Sequence, residues 1–246
     1  MQYCPYFEDM DVLYAGNFLL GANTLPEDGV LDIREGTTYV QERGFYQYTE
    51  NSTALKKLIF PEGVRVISYA AFGNNTALAE ADLPDTVEYI GDWGFWHTAL
   101  TEVTVPASTY YVGKRAFGKC EDLTSITFLN PYTQIYPDPD TVSNNWDSDP
   151  ANIVYSGVIR GYEGSTAQRF AEKYGYTFES LGEIPALPDG DVNADGTLGA
   201  LDVLVLQKYL VRQRTLTSAQ MQLADLDNSG SVNAVDLALL KQRITR

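Results

Sequence analysis

The most regular feature of this chain is an apolar pattern that recurs every 22–23 residues between about residues 30 and 130. Each copy opens on a leucine, and three of the four copies end in a proline; the leucines are Leu55, Leu78, Leu100 and Leu123. A phenylalanine follows each of these prolines by eleven residues, at Phe72, Phe95 and Phe117. A fixed period of this length is typical of repeat proteins, whose units stack on one another.

The residue before each phenylalanine is small, and a weaker, earlier copy ends at Phe45; the small residues are Gly44, Ala71, Gly94 and Ala116. This pattern predicts a short strand, a proline-marked turn and a returning segment in each unit. One unit is too small to bury its apolar face alone, so several must stack. We expect small residues where adjacent coils approach closely.

These repeats resemble the BspA-type leucine-rich repeats of bacterial surface proteins, over roughly residues 12–181. The resemblance implies a β-rich solenoid with a capping hairpin at residues 14–20 and a closing segment at residues 157–178. Within the closing segment, Ser165 or Thr166 can cap a short helix over residues 167–173. Residues 130–150 are rich in Pro, Asp, Asn and Ser, which predicts a loop inserted in the last coil.

The last quarter of the chain carries two twelve-residue loops, at residues 191–202 and 225–236, which start 34 residues apart. Each has oxygen-bearing side chains at positions 1, 3 and 5, glycine at 6, an apolar residue at 8 and Asp at 12. Ca²⁺ takes six to eight oxygen ligands on a loop that turns sharply at such a glycine. We therefore predict two Ca²⁺ ions, with ligands from Asp191, Asn193, Asp195, Thr197 and Asp202 in the first loop and from Asp225, Asp227, Ser229, Ser231 and Asp236 in the second.

The two loops depart from the EF-hand pattern in several respects. Position 12 is Asp rather than Glu, Gly199 has no side-chain oxygen at position 9, and Ser229 replaces an acid at position 5. An apolar-periodic helix follows each loop, but Pro185 and Pro188 make a helix before the first loop unfavourable. This duplicated loop-helix unit resembles a cellulosomal dockerin, a small all-α calcium-binding module with paired EF-hand-like motifs.

The dockerin resemblance implies a protein partner, the cohesin module of a scaffoldin. It implies contacts at loop positions 10 and 11 and near the helix ends: Ala200, Leu201, Gln207, Lys208 and Tyr209 in one copy, and Ala234, Val235, Lys241, Gln242 and Arg243 in the other. Alternatively, Leu201 and Val235 pack the internal core. We favour the contact role because Leu204 and Leu239 are expected to supply much of that core. The near-equivalence of the copies predicts two docking faces of unequal strength.

The composition and charge of the chain limit the classes of partner that it can bind. The chain has 246 residues and a net charge of −16, and 26 acidic residues face 11 basic ones before residue 189. Such acidity argues against nucleic acid and anionic membranes as partners, and no apolar stretch is long enough to insert in a membrane. The N-terminus lacks the features of a signal peptide. We expect a mature or recombinant fragment of a protein secreted by an anaerobic bacterium.

Few residues in the sequence favour catalysis. His97 is the only histidine, and a role in a repeat turn is the simpler interpretation, since a catalytic histidine needs convergent partners. Cys4 and Cys120 are expected to be free thiols, although they could pair. The carboxylates Glu80, Asp82 and Glu102 fall on predicted strands, where polar residues face outward by default. A set of aromatic residues, Tyr69, Trp93 and Trp96, is a candidate ligand-binding patch, although isolated surface aromatics are ordinary.

The sequence thus predicts a leucine-rich-repeat solenoid at residues 1–181, a linker at 182–188 and a dockerin at 189–246. We expect a non-catalytic component of a cellulosome or cell surface, whose repeats bind a protein or a plant-cell-wall ligand. The alternatives are a dockerin-borne carbohydrate-active enzyme and a calcium-sensing regulator. A regulator needs flanking helices that open on binding, and the first loop is predicted to lack one of them.

Overall fold

A computed structural model describes residues 12–46 and 55–245. The repeats form a solenoid whose longest sheet has seven strands: β1 (Val12–Ala15), β2 (Phe18–Ala22), β4 (Tyr39–Val40), β6 (Val66–Ile67), β8 (Tyr89–Ile90), β10 (Tyr111–Val112) and β12 (Gln134–Ile135). From β2 onward these strands pair in parallel, one from each coil. Parallel pairing between successive coils is the arrangement that a stacked repeat requires.

The opposite side of the coils carries two shorter parallel sheets. One consists of β3 (Val30–Asp32), β5 (Lys57–Ile59) and β7 (Glu80–Asp82). The other consists of β9 (Glu102–Val105), β11 (Ser125–Phe128), β13 (Val158–Gly161) and β14 (Thr177–Ser180). Along β7 and β9 the buried residue alternates with exposed ones, so the repeat leucine pattern faces inward.

The periodic phenylalanines form the spine of the core. Phe45, Phe72, Phe95 and Phe117 stack in one column, with ring centroids 5.4, 5.6 and 5.5 Å apart. Phe72, Phe95 and Phe117 are completely buried. Backbone bonds between coils fix the column, since each of the four phenylalanine N–H groups donates to a carbonyl of the next coil at 2.9 Å.

Close approach between coils explains the small residue before each phenylalanine. A Cβ added at Gly44 would lie 2.8 Å from the carbonyl oxygen of Leu20, too close for any side chain. Ala71 and Ala116, at the same position of other coils, are completely buried. The prediction of small residues at this contact is therefore confirmed.

Both ends of the solenoid are closed as predicted. At the start, β1 and β2 form an antiparallel hairpin. At the end, helix α1 (Thr166–Tyr174) packs against the strands β13 and β14, and the side chain of Ser165 caps it by accepting from the N–H of Gln168 at 3.2 Å. Ala167 and Ala171 on its inner face are completely buried.

Residues 130–150 differ from the predicted inserted loop. They complete a coil, because β12 pairs with β10 and Val142 bridges to Phe117 beneath the phenylalanine column. Short 3₁₀ turns at Pro139–Thr141 and Pro150–Asn152 take the place of longer repeat segments. The Pro, Asp, Asn and Ser content predicts a loop, but Asp138 and Asp149 use their carboxylates to start these two turns.

The C-terminal part contains helices α2 (Ala200–Leu210), α3 (Ser218–Ala224) and α4 (Ala234–Ile244). Helices α2 and α4 pack together around a small core of Val192, Val205, Leu206, Leu216, Ala224, Leu226 and Leu240. Leu204 was expected to supply this core, but its side chain is 39% exposed. The register of α2 directs Val205 and Leu206 inward, and Leu204 shares the outer face with Leu201, three positions before it, and Lys208, four positions after it.

Candidate calcium loops and docking faces

The first loop is organised around two buried carboxylates at its ends. Asp191 and Asp202 are both completely buried. The oxygens of Asp191 accept from the backbone N–H groups of Asp195 at 3.2 Å and Gly196 at 2.9 Å. Asp202 reaches back and accepts from the N–H groups of Asn193 at 3.0 Å and Gly199 at 2.8 Å. The two end carboxylates therefore hold the backbone of the loop closed.

The side chains between these ends are linked to one another. Asn193 is buried and donates its amide to a carboxylate oxygen of Asp195 at 2.6 Å. The hydroxyl of Thr197 donates to the other oxygen of Asp195 at 2.7 Å. Together with the bonds from the N–H groups of Asn193 and Asp195 to the end carboxylates, these contacts link all five predicted ligands of the first loop in one hydrogen-bonded group.

The second loop repeats this geometry. Asp225 accepts from the N–H groups of Ser229 at 3.0 Å and Gly230 at 2.8 Å, as Asp191 does in the first loop. Asp236 is buried and accepts from the N–H groups of Leu226 and Asn233, both at 2.8 Å. One carboxylate oxygen from each of Asp225, Asp227 and Asp236 lies within 4.8 Å of the other two. This is an acidic cluster of the kind that holds Ca²⁺.

The remaining predicted ligands of the second loop lie at the surface. The hydroxyls of Ser229 and Ser231 are 3.3 Å apart, and the Ser229 hydroxyl also donates to the Ser231 carbonyl at 3.1 Å. At position 6 of the two loops, Gly196 and Gly230 have φ of 88° and 81°. An L-residue is strained there, which is why position 6 of each loop is glycine.

The electrostatics of the first loop favour a bound cation. Burial raises the pKa of Asp191 and of Asp202 to about 6, because both carboxylates are withdrawn from water. The nearby charge of Asp195 acts in the same direction on both groups. A divalent ion between them would offset that unfavourable charge, and the donor set of carboxylate, amide and hydroxyl oxygens fits Ca²⁺.

The predicted docking positions lie on the outer faces of α2 and α4. Val235 is 52% exposed, and Ala200, Gln207, Ala234, Lys241, Gln242 and Arg243 are also exposed. Leu201, Lys208 and Tyr209 are only partly exposed. The two faces therefore carry similar residues, but the face on α4 is more exposed than the face on α2.

The aromatic patch on the repeats is more enclosed than its sequence suggested. Trp93 and Trp96 are half-buried, with ring centroids 4.8 Å apart, and Tyr69 is 37% exposed. The Arg115 guanidinium covers Trp93 at 5.0 Å, and the Lys119 ammonium lies 5.5 Å from the Trp96 ring.

Trp146, which the repeat pattern does not single out, extends this patch. Its side chain is 49% exposed, and its ring lies 6.0 Å from the Arg115 guanidinium. It falls in residues 130–150, whose composition predicts a loop inserted in the last coil rather than part of the repeat surface.

The residues considered for catalysis have structural surroundings. Cys120 is a free thiol with no exposed surface, and burial raises its pKa, so a reactive thiolate is disfavoured. Cys4 lies outside the described residues. His97 Nδ1 lies 2.7 Å from Asn74 Oδ1, and its ring packs edge-on against Trp96. These contacts give both residues a place in the turns of the solenoid.

Comparison with protein families identifies both parts. The BspA-type leucine-rich repeat family matches residues 31–138 in six copies, and the dockerin type I family matches residues 189–245. The chain carries a BspA-type leucine-rich repeat region followed by a type I dockerin domain. Both are families of non-catalytic modules, and dockerins of this type bind calcium.

Solved structures give more distant similarities. The pneumococcal vaccine antigen PcpA is 18% identical with a TM-score of 0.49, and the match covers 68% of this chain and 44% of PcpA. A leucine-rich repeat protein from Bacteroides ovatus is 14% identical with a TM-score of 0.36, over 76% of this chain and 60% of its own. This chain thus spans less than two thirds of either protein. A comparison with curated proteins finds no significant match.

Proposed function

We propose that this protein is a non-catalytic component of a cellulosome or of a cell-surface assembly. Its dockerin binds a scaffoldin cohesin in a calcium-dependent manner, while the repeats bind a protein or a plant-cell-wall ligand. The observation that carries the proposal is the pair of calcium loops, each folded around a buried position-12 carboxylate, within a type I dockerin. Both families point to extracellular or cell-surface proteins. None of the helices among residues 12–46 and 55–245 meets the length and hydropathy that a membrane span needs.

Two Ca²⁺ ions would hold the docking helices in place. The position-12 carboxylates of Asp202 and Asp236 lie in the first turns of α2 and α4, and each also accepts from an N–H group near the beginning of its loop. The same residue is therefore a predicted calcium ligand and part of the start of a docking helix. We expect the ion to fix the loop and the loop to fix the helix, because Ca²⁺ offsets the repulsion between the loop carboxylates.

Loop variants test this proposal on the full chain. Asp236→Asn keeps the size of the side chain but removes a ligand charge, and we expect loss of one of two bound Ca²⁺ and weaker retention on immobilised type I cohesins. Asp85→Asn, which changes an exposed acid of the repeats, is the matched control and should behave as the unmodified protein. Calorimetric calcium titration and a cohesin array measure both effects. Equal calcium stoichiometry and cohesin retention in the two variants would contradict the proposal.

For the repeats, we propose the patch of Tyr69, Trp93 and Trp96, extended by Trp146, as the ligand-contact surface. Aromatic residues and arginine are enriched at protein-binding surfaces. Trp146→Ala should reduce retention on insoluble plant cell wall or on a captured protein ligand, whereas Ile59→Ala, on another side of the solenoid and 42% exposed, should not. If both variants are retained like the unmodified chain, the patch is not the contact surface.

A further inference from the structure

The two calcium loops of the dockerin are unequally accessible although their sequences are nearly equivalent. At loop positions 3 and 4, Asn193 and Ala194 are 3% and 2% exposed. Their counterparts Asp227 and Asn228 are exposed. Ala194 and Asn228 share the same left-handed backbone, with φ of 61° and 56°. Since the backbone conformation at this position is alike in both loops, it does not cause the difference, and contacts from outside the dockerin must be considered.

The helices that follow the loops show the same inequality. Leu201 is partly buried, while its counterpart Val235 is 52% exposed. Lys208 is partly buried, and its counterpart Gln242 is exposed. The first copy is therefore covered along both its loop and its helix.

The repeat region provides the cover. The side-chain amide of Asn130 donates to the carbonyl of Asn193 at 2.9 Å, in a buried hydrogen bond between the two domains. The Tyr110 ring, one residue before β10, lies 5.7 Å from the Lys208 ammonium and 4.8 Å from the Arg214 guanidinium. Burial lowers the pKa of Arg214, as expected of a cation held between two surfaces.

Apolar and charged groups complete this contact. Leu201 and Leu204 border a narrow gap whose opposite side is formed by Glu88, Ser108 and Tyr110 of the repeats. Lys208 and Arg214, the cations above the Tyr110 ring, are favourable neighbours for the acidic repeats. In the second copy, Lys208 is replaced by Gln242, so that face lacks the cation that lies over Tyr110.

We propose that the repeat region covers the first docking face and that a cohesin binds only through the second. This inference rests on the proposed cohesin-binding function. The open face has an apolar centre of Ala234, Val235 and Ala238, and a rim of Lys241, Gln242 and Arg243, all exposed. The matching partner surface has an apolar centre and an acidic rim, because interfaces pair apolar cores and complementary charges.

Cohesin titration of matched variants tests which face is used. In the full chain with calcium, Val235→Asp places a charge at the centre of the open face and should weaken cohesin binding by about 100-fold, as loss of a central contact does. Leu201→Asp, the same change on the covered face, should alter binding by less than about threefold. Equal weakening by the two variants would overturn the inference while leaving the cohesin-binding function intact.

A third variant should uncover the first face. Tyr110→Arg places a positive charge against Lys208 and Arg214 and should separate the dockerin from the repeats. When it is combined with Val235→Asp, we expect cohesin binding to recover through Leu201, at least in part. No recovery, in a protein whose repeats melt as in the unmodified chain, would contradict the inference.

Thiol labelling tests the cover without any cohesin. In a Cys4→Ser background, Ala194→Cys and Asn228→Cys place a thiol at the same position of each loop. With calcium bound, the thiol at position 228 should react with a maleimide about tenfold faster than that at 194, because thiol reactivity needs access, and Tyr110→Arg should remove the difference. Equal labelling rates at positions 194 and 228 without Tyr110→Arg would overturn the inference, whether or not a cohesin binds. Absence of cohesin binding, by contrast, would count against the proposed function.

Discussion

Single residues explain why the repeat has its period. Each coil contributes one phenylalanine to the column of Phe45, Phe72, Phe95 and Phe117, and the residue before it must be small because the coils meet there. The aromatic side chain is the largest apolar group in the coil, so its burial provides much of the stability of each unit. The period of the sequence pattern is therefore the spacing between successive phenylalanines of the column.

Truncation of one ring should therefore be costly. Phe95→Ala removes a completely buried side chain between two stacked rings, and we expect the free energy of unfolding of the repeats to fall by about 3–5 kcal/mol. Denaturant unfolding measures the change, with the exposed Ile59→Ala as the control. A loss for Phe95→Ala no larger than that of the control would mean that the column does not hold the solenoid together.

At the scale of elements, the two loop-helix units differ in how their helices begin. The side chain of Asn233 accepts from the N–H of Val235 at 2.8 Å and so caps α4. The corresponding residue before α2 is Gly199, which has no side chain to cap with. Both helices keep the second part of the cap, in which Asp202 and Asp236 accept from the N–H of the capping residue at 2.8 Å.

Substitutions at these two capping positions should shift the free energy of unfolding in opposite directions. Asn233→Ala should lower the free energy of unfolding of the calcium-loaded dockerin by about 1 kcal/mol. Gly199→Asn has room for a side chain and should raise it by about a few tenths of a kcal/mol. Thermal unfolding of the full chain with saturating calcium, followed by the helix signal, gives both values. A stabilising Asn233→Ala would show that this cap is not formed.

Elements with a strong local pattern could be predicted from the sequence, and elements defined by tertiary contacts could not. The hairpin at residues 14–20, the helix capped by Ser165 and both calcium loops follow from turn and capping chemistry. The coil at residues 130–150 was missed because its pairing partners, β10 and Phe117, lie in the preceding coil. The core role expected of Leu204 was wrong because Leu204 and Val205 are both apolar, and only the packing of α2 on α4 chooses between them.

At the scale of the whole molecule, the chain joins a solenoid held by apolar stacking to a helical module with two calcium loops. The contact between them, through Tyr110, Lys208 and Arg214, follows no sequence period and could not be predicted. The domain limits 1–181, 182–188 and 189–246 stay predictions. Because apolar stacking holds the repeats and the loops hold the helical module, removal of calcium should affect the two parts differently.

A chelator should unfold the dockerin and leave the repeats folded. The dockerin core consists of seven buried apolar residues, a small number to hold three helices against the repulsion of the loop carboxylates. Because α2, α3 and α4 contain most of the helical residues described, circular dichroism of the full chain should lose most of its helix signal with chelator and keep its strand signal. Unchanged helix content and melting in chelator would show that the dockerin folds without calcium.

The proposed function depends on calcium-dependent cohesin binding by the intact protein. The most direct measurement is a calorimetric titration of a type I cohesin into the full chain, first with calcium, then with excess chelator, then with calcium restored. We expect one cohesin per chain with calcium, no binding with chelator, and full recovery when calcium returns. Binding of equal strength in calcium and in chelator, or none across an array of type I cohesins, would contradict it.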